Sequence, residues 1–151
     1  MPVRPARLAD LNTVHALECA VFGDPVYPAF FFRQAHDLWP SLLLVAEDDT
    51  TGQVVGYILG APGEEDGAAW ILSLAVEAGH RGRGWAQRLL CRLMEALAAR
   101  GRRRARLTVH PDNAALRLYQ RHGFHTLAEE PHYFHENDPR LVLERILQPD
   151  D

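Results

Sequence analysis

The chain has 151 residues, of which 47% are hydrophobic and 24% are charged, and its formal net charge is −4 at pH 7. The apolar content excludes an intrinsically disordered chain, and the acidic balance argues against a nucleic-acid-binding protein. The length is typical of one domain, so we expect a single domain over residues 1–151. The first ten residues lack the apolar core of a signal peptide. The longest apolar run, Ala68–Val76, is far shorter than the ~20 residues of a membrane helix. We therefore expect a cytoplasmic protein without a membrane partner.

The apolar pattern of the first sixty residues alternates between helical and strand periods. Leu11, Val14, Leu17 and Val21 recur at helical spacing after Asp10, a residue type suited to an N-cap. A break at Gly23–Pro28 and a turn at Asp48–Gly52 separate the elements. The predicted elements are a strand at Arg4–Arg7, a helix after Asp10, a helix at Ala29–Leu38, and a hairpin of strands Leu42–Ala46 and Val54–Leu59.

The second half of the chain begins with Ala68–Val76, which is nearly all apolar, as in a central strand buried on both faces. A glycine-rich loop and a strongly amphipathic helix follow this strand. The predicted elements are that helix at Trp85–Arg100, a strand at Arg104–His110, a helix from Pro111–Asn113 to His122–Gly123, and strands at Phe124–Leu127 and Leu141–Leu147. The order β-α-α-β-β-β-α-β-α-β-β predicts an α/β fold with a mixed sheet.

The loop between the Ala68–Val76 strand and the next helix carries the strongest local signal, Arg81-Gly82-Arg83-Gly84-Trp85-Ala86. Gly82 and Gly84 allow the backbone to approach a ligand closely. The free N–H groups of the first helical turn then form an anion site suited to a pyrophosphate. The loop lacks the Gly-Lys-Ser/Thr of a Walker loop and the third glycine of a dinucleotide fingerprint. An ordinary turn with solvated arginines is the alternative.

A second signal runs from Asn113 to Phe124, where a strand end meets a helix start. Asn113 is near the N-cap, Tyr119 lies within the helix and Gly123 closes it. A tyrosine with its ordinary pKa near ~10 stays protonated at neutral pH and can donate a proton. A half-buried core tyrosine is the alternative.

Together, the two motifs resemble those of the GNAT superfamily of N-acetyltransferases. Arg81–Ala86 is similar to its Arg/Gln-x-x-Gly-x-Gly/Ala motif, and Asn113–Phe124 is similar to its Asn…Leu-Tyr-x-x-x-Gly-Phe motif. The resemblance implies a single-domain fold of about four helices and a mixed, mostly antiparallel sheet of about seven strands. It also implies that this sheet is splayed at its central parallel pair, Ala68–Val76 and Arg104–His110.

The resemblance further implies acetyl transfer from acetyl-CoA, as cosubstrate, to a primary amine by direct attack in a ternary complex. The pantetheine arm would bond to the backbone near Leu74–Val76, with the Val76 N–H as oxyanion donor, and Tyr119 would protonate the CoA thiolate. The implied cofactor-binding residues are Leu74, Ala75, Val76, Arg81, Gly82, Arg83, Gly84, Trp85, Ala86, Asn113 and Tyr119.

The base that must deprotonate the attacking amine is not where better-understood branches place it. Acetyltransferases of peptide N-termini, the nearest branch by motif, often carry Glu or His at the position of Thr108. Histone-type relatives place a Glu where this chain has Ala68-Ala69, and the arylalkylamine type has histidines near Trp70 and Leu72. Glu77, His110 and a water chain to the Glu64–Asp66 loop remain as alternatives.

Several clusters are discounted. An arginine cluster at residues 100–106 is interpreted as a solvated turn rather than a nucleic-acid site. The four histidines between His122 and His135 lack a metal-ligand spacing, so we expect no metal. Cys19 and Cys91 are interpreted as buried free thiols. Aromatic residues of the first two helices, with Tyr133 and Phe134, are expected to belong to the core or to line the acceptor site.

Two function classes remain. The leading one is catalysis, with a small molecule or a peptide N-terminus as the acceptor. The other is a non-catalytic GNAT domain that senses acyl-CoA or binds another protein. Tyr119 favours catalysis, whereas the missing standard base favours sensing. The sequence leaves open the acceptor, the acyl-chain length and whether the protein is a homodimer.

Overall fold

The computed structural model describes residues 2–23 and 26–148. The chain divides into two compact units, the first comprising Met1–Ala61 and Leu72–Ala96 and the second Pro62–Ile71 and Leu97–Asp151. The predicted break after the first helix begins at Gly23, which ends that helix with a positive φ of 73°. Residues 24 and 25 of this break lie outside the described residues. A single domain over residues 1–151 stays a prediction.

Within the described residues, four helices and seven strands follow one another in the predicted order. The helices are α1 (Leu11–Phe22), α2 (Ala29–Leu38), α3 (Trp85–Ala99) and α4 (Ala115–Arg121). The strands are β1 (Val3–Pro5), β2 (Leu43–Glu47), β3 (Val54–Pro62), β4 (Ala68–Val76), β5 (Arg104–Val109), β6 (His125–Glu130) and β7 (Arg140–Ile146). They form a sheet of order β1-β2-β3-β4-β5-β7-β6. In the described part of the chain, β4 and β5 pair parallel, whereas β1–β2, β2–β3, β5–β7 and β6–β7 pair antiparallel, which confirms the predicted mixed fold.

The core of the first unit lies where α1 and α2 cover one face of the strands. Val14 and Leu17 of the predicted α1 stripe are buried there, together with Phe32 of α2. The antiparallel register sets Leu43 opposite Leu59 and Val45 opposite Tyr57. Because strand side chains alternate between faces, these four residues turn to the same helical layer.

Helix α3 packs on the opposite face of β3, at two glycines spaced to face the same side. A Cβ at Gly60 would lie 2.9 Å from Cδ1 of Leu93, and one at Gly56 would lie 3.2 Å from Cδ1 of Leu89. The missing side chains therefore bring the helix directly onto the strand. Leu89 and Leu93 are fully buried as a result.

In the second unit, β7 lies between β5 and β6 and pairs antiparallel with both. β5 pairs with β7 over its whole length, from Arg104↔Ile146 to Val109↔Leu141. The parallel ladder joins Ala68–Trp70 of β4 to Arg104–Arg106 of β5.

Local boundaries and environments differ from prediction in several places. The first strand is Val3–Pro5 rather than Arg4–Arg7, since a 3-10 turn starts at Leu8. β4 is not buried on both faces, because its side chains at Trp70, Leu72 and Leu74 are only half-buried. Cys19 is exposed and Cys91 half-buried, so the prediction of two buried thiols is wrong.

Asp10 is not the side-chain cap of α1 that the sequence predicts. Its backbone is already helical, and its carboxylate points back to accept a hydrogen bond from the Arg7 N–H at 2.7 Å. The same carboxylate forms an ion pair with Arg4 at 2.7 Å. Burial by itself would raise the pKa of Asp10, but the bonds and charges of Arg4 and Arg7 outweigh it and lower this pKa.

We predict that Asp10→Asn lowers the free energy of unfolding by about 1–2 kcal/mol at pH 7. Because the folded-state pKa of Asp10 is lowered, its contribution is present above the unfolded-state pKa and is lost as pH falls through the folded-state pKa. Denaturant unfolding from pH 7 to pH 3 should therefore show the gap between wild type and variant closing in acid. Asp37→Asn, which breaks an exposed pair with Arg33, is the matched control and should cost less than about 0.5 kcal/mol. An equal effect of the two variants would contradict the prediction.

Candidate active site

The loop that follows β4 has the backbone that its glycines predict. Gly82 and Gly84 have φ of 78° and 84°, a region that other residues rarely adopt. A Cβ built at either glycine would meet nothing within 4 Å. The glycines therefore leave open space next to the start of α3. Arg81 and Arg83 are exposed on this loop, and Arg81 Nε donates to the carbonyl of Val76 at 3.3 Å.

The N-terminus of α3 adds positive potential to this loop. The carbonyl of Gly84 accepts the first helical bond from the Arg88 N–H at 3.1 Å, so the earlier N–H groups precede the helical ladder. The first turn contains no acidic residue. Trp85 is buried at the start of the helix, and its indole N–H has no hydrogen-bond partner among the described residues. The loop and helix can therefore hold a phosphate-type anion.

The end of β4 carries the predicted backbone donors and one predicted base. Leu74 is half-buried, whereas Ala75 and Val76 are buried. The Glu77 N–H is bonded to the carbonyl of Val55 at 2.8 Å. The half-exposed carboxylate of Glu77 lies 3.6 Å from Nδ1 of His80. Glu77 therefore belongs to the same stretch of chain as the glycine-rich loop, at a position open to solvent.

Tyr119, in α4 of the second unit, is 6% exposed. Its ring packs edge-on against Phe124, with ring centroids 5.6 Å apart. Burial raises the pKa of the Tyr119 hydroxyl above its ordinary value. The hydroxyl therefore stays protonated through the neutral and mildly alkaline range.

Asn113 and His110 precede α4 in the same unit. Oδ1 of Asn113 accepts the Ala115 N–H at 2.8 Å, so Asn113 satisfies the helix start although the helix begins two residues later. Nδ1 of His110 accepts the Asp112 N–H at 3.1 Å, so Nδ1 already serves as an acceptor. The loop acid Glu65 is bound to Arg106 at 2.8 Å. That ion pair weakens the water-chain alternative for the base.

The predicted residues are thus distributed over both units. The first unit brings together the β4 end, Glu77 and the glycine-rich loop. The second holds Tyr119, Asn113 and His110. Their roles stay predictions.

The sequence did not reveal a buried polar network in the first unit. The Tyr57 hydroxyl donates to the Glu18 carboxylate at 2.6 Å and contacts the Ser73 hydroxyl at 2.8 Å. Ser73 also donates to Glu18 at 3.4 Å. One signal was present, because Glu18 falls four residues after Val14, on the apolar stripe of α1.

Aromatic residues of the first unit divide between core and partly open positions. Phe32 is fully buried, whereas Phe30 is exposed. Tyr27 and Phe31 stack with ring centroids 4.6 Å apart, and the Tyr27 hydroxyl donates to the Leu72 carbonyl at 3.4 Å. This stack therefore contacts β4 at Leu72, which precedes the predicted pantetheine segment Leu74–Val76 by two residues.

In the second unit, Tyr133 and Phe134 form an edge-on pair, and the Arg140 guanidinium lies 5.0 Å from the Phe134 ring centroid. Within residues 2–23 and 26–148, no three His, Cys, Asp or Glu side chains are grouped as metal ligands. In the same residues, every helix is too short or too polar to cross a bilayer.

Comparison with known proteins assigns the family. The sequence model described as "Acetyltransferase (GNAT) family" matches residues 11–124. The N-alpha-acetyltransferase daf-31 of Caenorhabditis elegans is 30% identical over 154 residues, which cover 97% of this chain and 83% of that protein. The chain therefore belongs to the GNAT acetyltransferase family. This confirms the predicted enzyme class, an acetyl-CoA-dependent N-acetyltransferase.

Solved structures confirm the fold. Ard1 from Thermoplasma volcanium superposes with a TM-score of 0.86 at 24% identity, covering 98% of both chains. A chain of the NatC complex bound to Gag peptide and CoA superposes with a TM-score of 0.88 at 23% identity, covering 97% of this chain and 98% of that one. Both similarities extend over nearly the whole chain.

We predict that Gly84→Glu weakens CoA binding more than about 100-fold, because a carboxylate placed in the open space beside the start of α3 repels a pyrophosphate at a cost of several kcal/mol. Gly52→Glu is the matched control. Gly52 also has a positive φ, 71°, and open space around its Cβ position, but it lies in the β2–β3 turn. Calorimetry should show near wild-type affinity for Gly52→Glu. Tight binding by a folded Gly84→Glu protein would sink the assignment.

Proposed function

We propose that this protein transfers the acetyl group of acetyl-CoA to a primary amine by direct attack in a ternary complex. The observation that carries the proposal is the loop at Gly82 and Gly84. Two left-handed glycines with open space around them precede a helix whose first turn has no acidic residue. This arrangement suits the pyrophosphate of CoA. The NatC neighbour, whose structure contains CoA, supports the same ligand class.

The thioester would be polarised by backbone donors at the end of β4. We assign the Val76 N–H as the oxyanion donor, because an N–H at a fixed position stabilises the negative charge that develops on the carbonyl oxygen. Leu74 and Ala75 would hold the pantetheine arm through their backbone groups. Arg81 and Arg83, both exposed on the loop, would contribute charge toward the phosphates.

Proton transfer completes the reaction. The amine nitrogen attacks the carbonyl carbon, the C–S bond breaks, and the CoA sulfur leaves as a thiolate. Tyr119, held protonated by burial, would give its proton to that thiolate. Glu77 and His110 are the predicted candidates for the base that takes the proton of the amine.

The acceptor class we favour is the α-amino group of a peptide. The relative that matches 97% of this chain is named an N-alpha-acetyltransferase, and the NatC neighbour was solved with a peptide. The stacked Tyr27 and Phe31 rings in the first unit offer an apolar wall at β4. Such a wall favours an apolar first side chain over a polycation.

The proposal is tested by measuring CoA-thiol release from acetyl-CoA over a panel of amines. We predict a higher kcat/KM for peptides with an apolar first residue than for spermidine, because burial of apolar surface contributes about 25 cal/mol per Å². A preference for spermidine would contradict the acceptor class. Tight CoA binding with no thiol release for any amine would instead identify a sensor domain.

We predict that Tyr119→Phe lowers kcat by roughly 10–10³-fold, because a positioned acid contributes about 10²–10⁴-fold and water replaces part of it. The dissociation constant for CoA should change little, since the hydroxyl acts as charge develops on sulfur. Steady-state kinetics and calorimetry on the same preparation check both statements.

The substitution keeps the ring that packs on Phe124, so the thermal midpoint should stay close to that of the wild type. Unchanged kcat in the folded variant would make Tyr119 a packing residue. Lost CoA binding would make it a cofactor contact.

A further inference from the structure

Glu18 is an acid buried in the middle of a helix that otherwise turns apolar side chains to the core. Its residue is 3% exposed. Among the described residues, none forms an ion pair with Glu18, and its carboxylate accepts hydrogen bonds only from the hydroxyls of Tyr57 and Ser73. An ionised carboxylate without a cationic partner costs several kcal/mol to bury. A glutamine could accept the same two bonds without that cost. The ionisable group itself therefore needs an explanation.

The network leads toward the part of β4 where the proposed chemistry occurs. Ser73 follows Leu72, whose carbonyl binds the Tyr27 hydroxyl, and it precedes Leu74–Val76, the proposed pantetheine and oxyanion segment. Three residues of strand separate Ser73 from Val76, which is about 10 Å. A chain of about three waters at hydrogen-bond spacing would span such a distance.

The exposure of the three residues points to where protons enter the network. Ser73 is 9% exposed, Glu18 3% and Tyr57 0%. Ser73 is therefore the most accessible member, and Tyr57 is the sealed link between it and the carboxylate. The network is continuous, since the Ser73 and Tyr57 hydroxyls are 2.8 Å apart and Tyr57 lies 2.6 Å from Glu18.

We propose that Glu18 is the terminal proton acceptor for the substrate amine and is reached through the hydroxyls of Ser73 and Tyr57. The inference rests on the proposed acetyl transfer. The amine passes a proton to a chain of bridging waters, and the last water passes one to Ser73. Ser73 gives its own proton to the Tyr57 oxygen, and Tyr57 gives its proton to Glu18. The balance is one ammonium and one carboxylate converted to one amine and one carboxylic acid. Glu18 then returns the proton to solvent by the same path.

The surroundings of Glu18 make its carboxylate a stronger proton acceptor than that of an ordinary glutamate. Burial, the largest influence, raises the pKa of Glu18, and the hydrogen bonds of Tyr57 and Ser73 with the charge of His15 only partly offset it. His15 acts on Glu18 from α1, Tyr57 from β3 and Ser73 from β4, while Tyr27 acts on Tyr57. A base is most effective when its pKa approaches the working pH.

Glu18→Gln tests the relay by the pH dependence of kcat, which reports groups in the ternary complex. Wild-type kcat should rise with pH and level off above the pKa of Glu18. The variant should lose about 10–10³-fold at pH 7, and its kcat should keep rising up to the pKa of the amine. CoA affinity should stay unchanged. Glu95→Gln, on an exposed position of α3, is the matched control and should behave as wild type.

Glu18→Asp keeps a carboxyl group and should retain the levelling-off at reduced kcat. Ser73→Ala leaves Glu18 and Tyr57 in place but removes the entry hydroxyl, and it should lower kcat even if Glu18 variants do not fold. Wild-type kcat in Ser73→Ala, or an unchanged pH profile in folded Glu18→Gln, would overturn the relay. The relay would also be overturned if Glu77→Gln, rather than Glu18→Gln, abolished the levelling-off of kcat with pH. Failure of the proposed acetyl transfer can be told apart from failure of the relay. In that case the wild type itself would release no thiol with any amine, and both proposals would be overturned.

Discussion

The close approach of α3 to β3 is the constraint on which the first unit depends. Cβ atoms at Gly56 and Gly60 would lie 3.2 Å and 2.9 Å from the Cδ1 atoms of Leu89 and Leu93, closer than ordinary contacts, so glycine at these positions lets the helix lie this near the strand. Because α3 is held against β3 along its length, the position of its N-terminus is fixed. The glycine-rich loop that joins β4 to α3 therefore has few residues in which to turn. The positive φ at Gly82 and Gly84 follows from this geometry. The proposed anion site is therefore a consequence of how the core packs.

On the other face of the same strands, the constraint is the burial of large side chains rather than a close backbone approach. There, α1 and α2 bury large apolar side chains, and a charged group is costly unless its hydrogen bonds are made. Tyr57 occupies a position in this core, fully buried beneath Phe32, with ring centroids 5.6 Å apart. Its hydroxyl binds both Glu18 and Ser73, so a single residue serves the packing and the polar network. Replacing Tyr57 by an apolar residue would leave Glu18 with the longer bond to Ser73 alone.

The sequence predicted the elements best where hydrophobic periodicity was strongest. β4 and α2 have the predicted ends, and α3 ends one residue early, at Ala99. The glycine-rich loop was also predictable, because positive φ is a local property that glycine satisfies. Asp10 was misassigned because its partner Arg4 lies upstream, in a strand too short to show a pattern. Glu18 could not be interpreted from sequence, since its partners are 39 and 55 residues away and only folding brings them together.

Burial shifts the pKa of Tyr119 and of Glu18 in the same direction, with different consequences for the two proposed roles. A phenol is neutral when protonated, so desolvation keeps Tyr119 protonated at neutral pH, although it also makes the hydroxyl a weaker acid than an ordinary tyrosine. A carboxylate is charged when deprotonated, so desolvation makes Glu18 a stronger acceptor than an ordinary glutamate. Under the proposal, the acid and the base differ by residue type, and the charge of His15 only partly offsets the effect of burial on the pKa of Glu18. A carboxylate whose pKa is raised by burial depends on the exclusion of water. This dependence explains why the proposed base, Glu18, would lie beneath two hydroxyls rather than open to the amine.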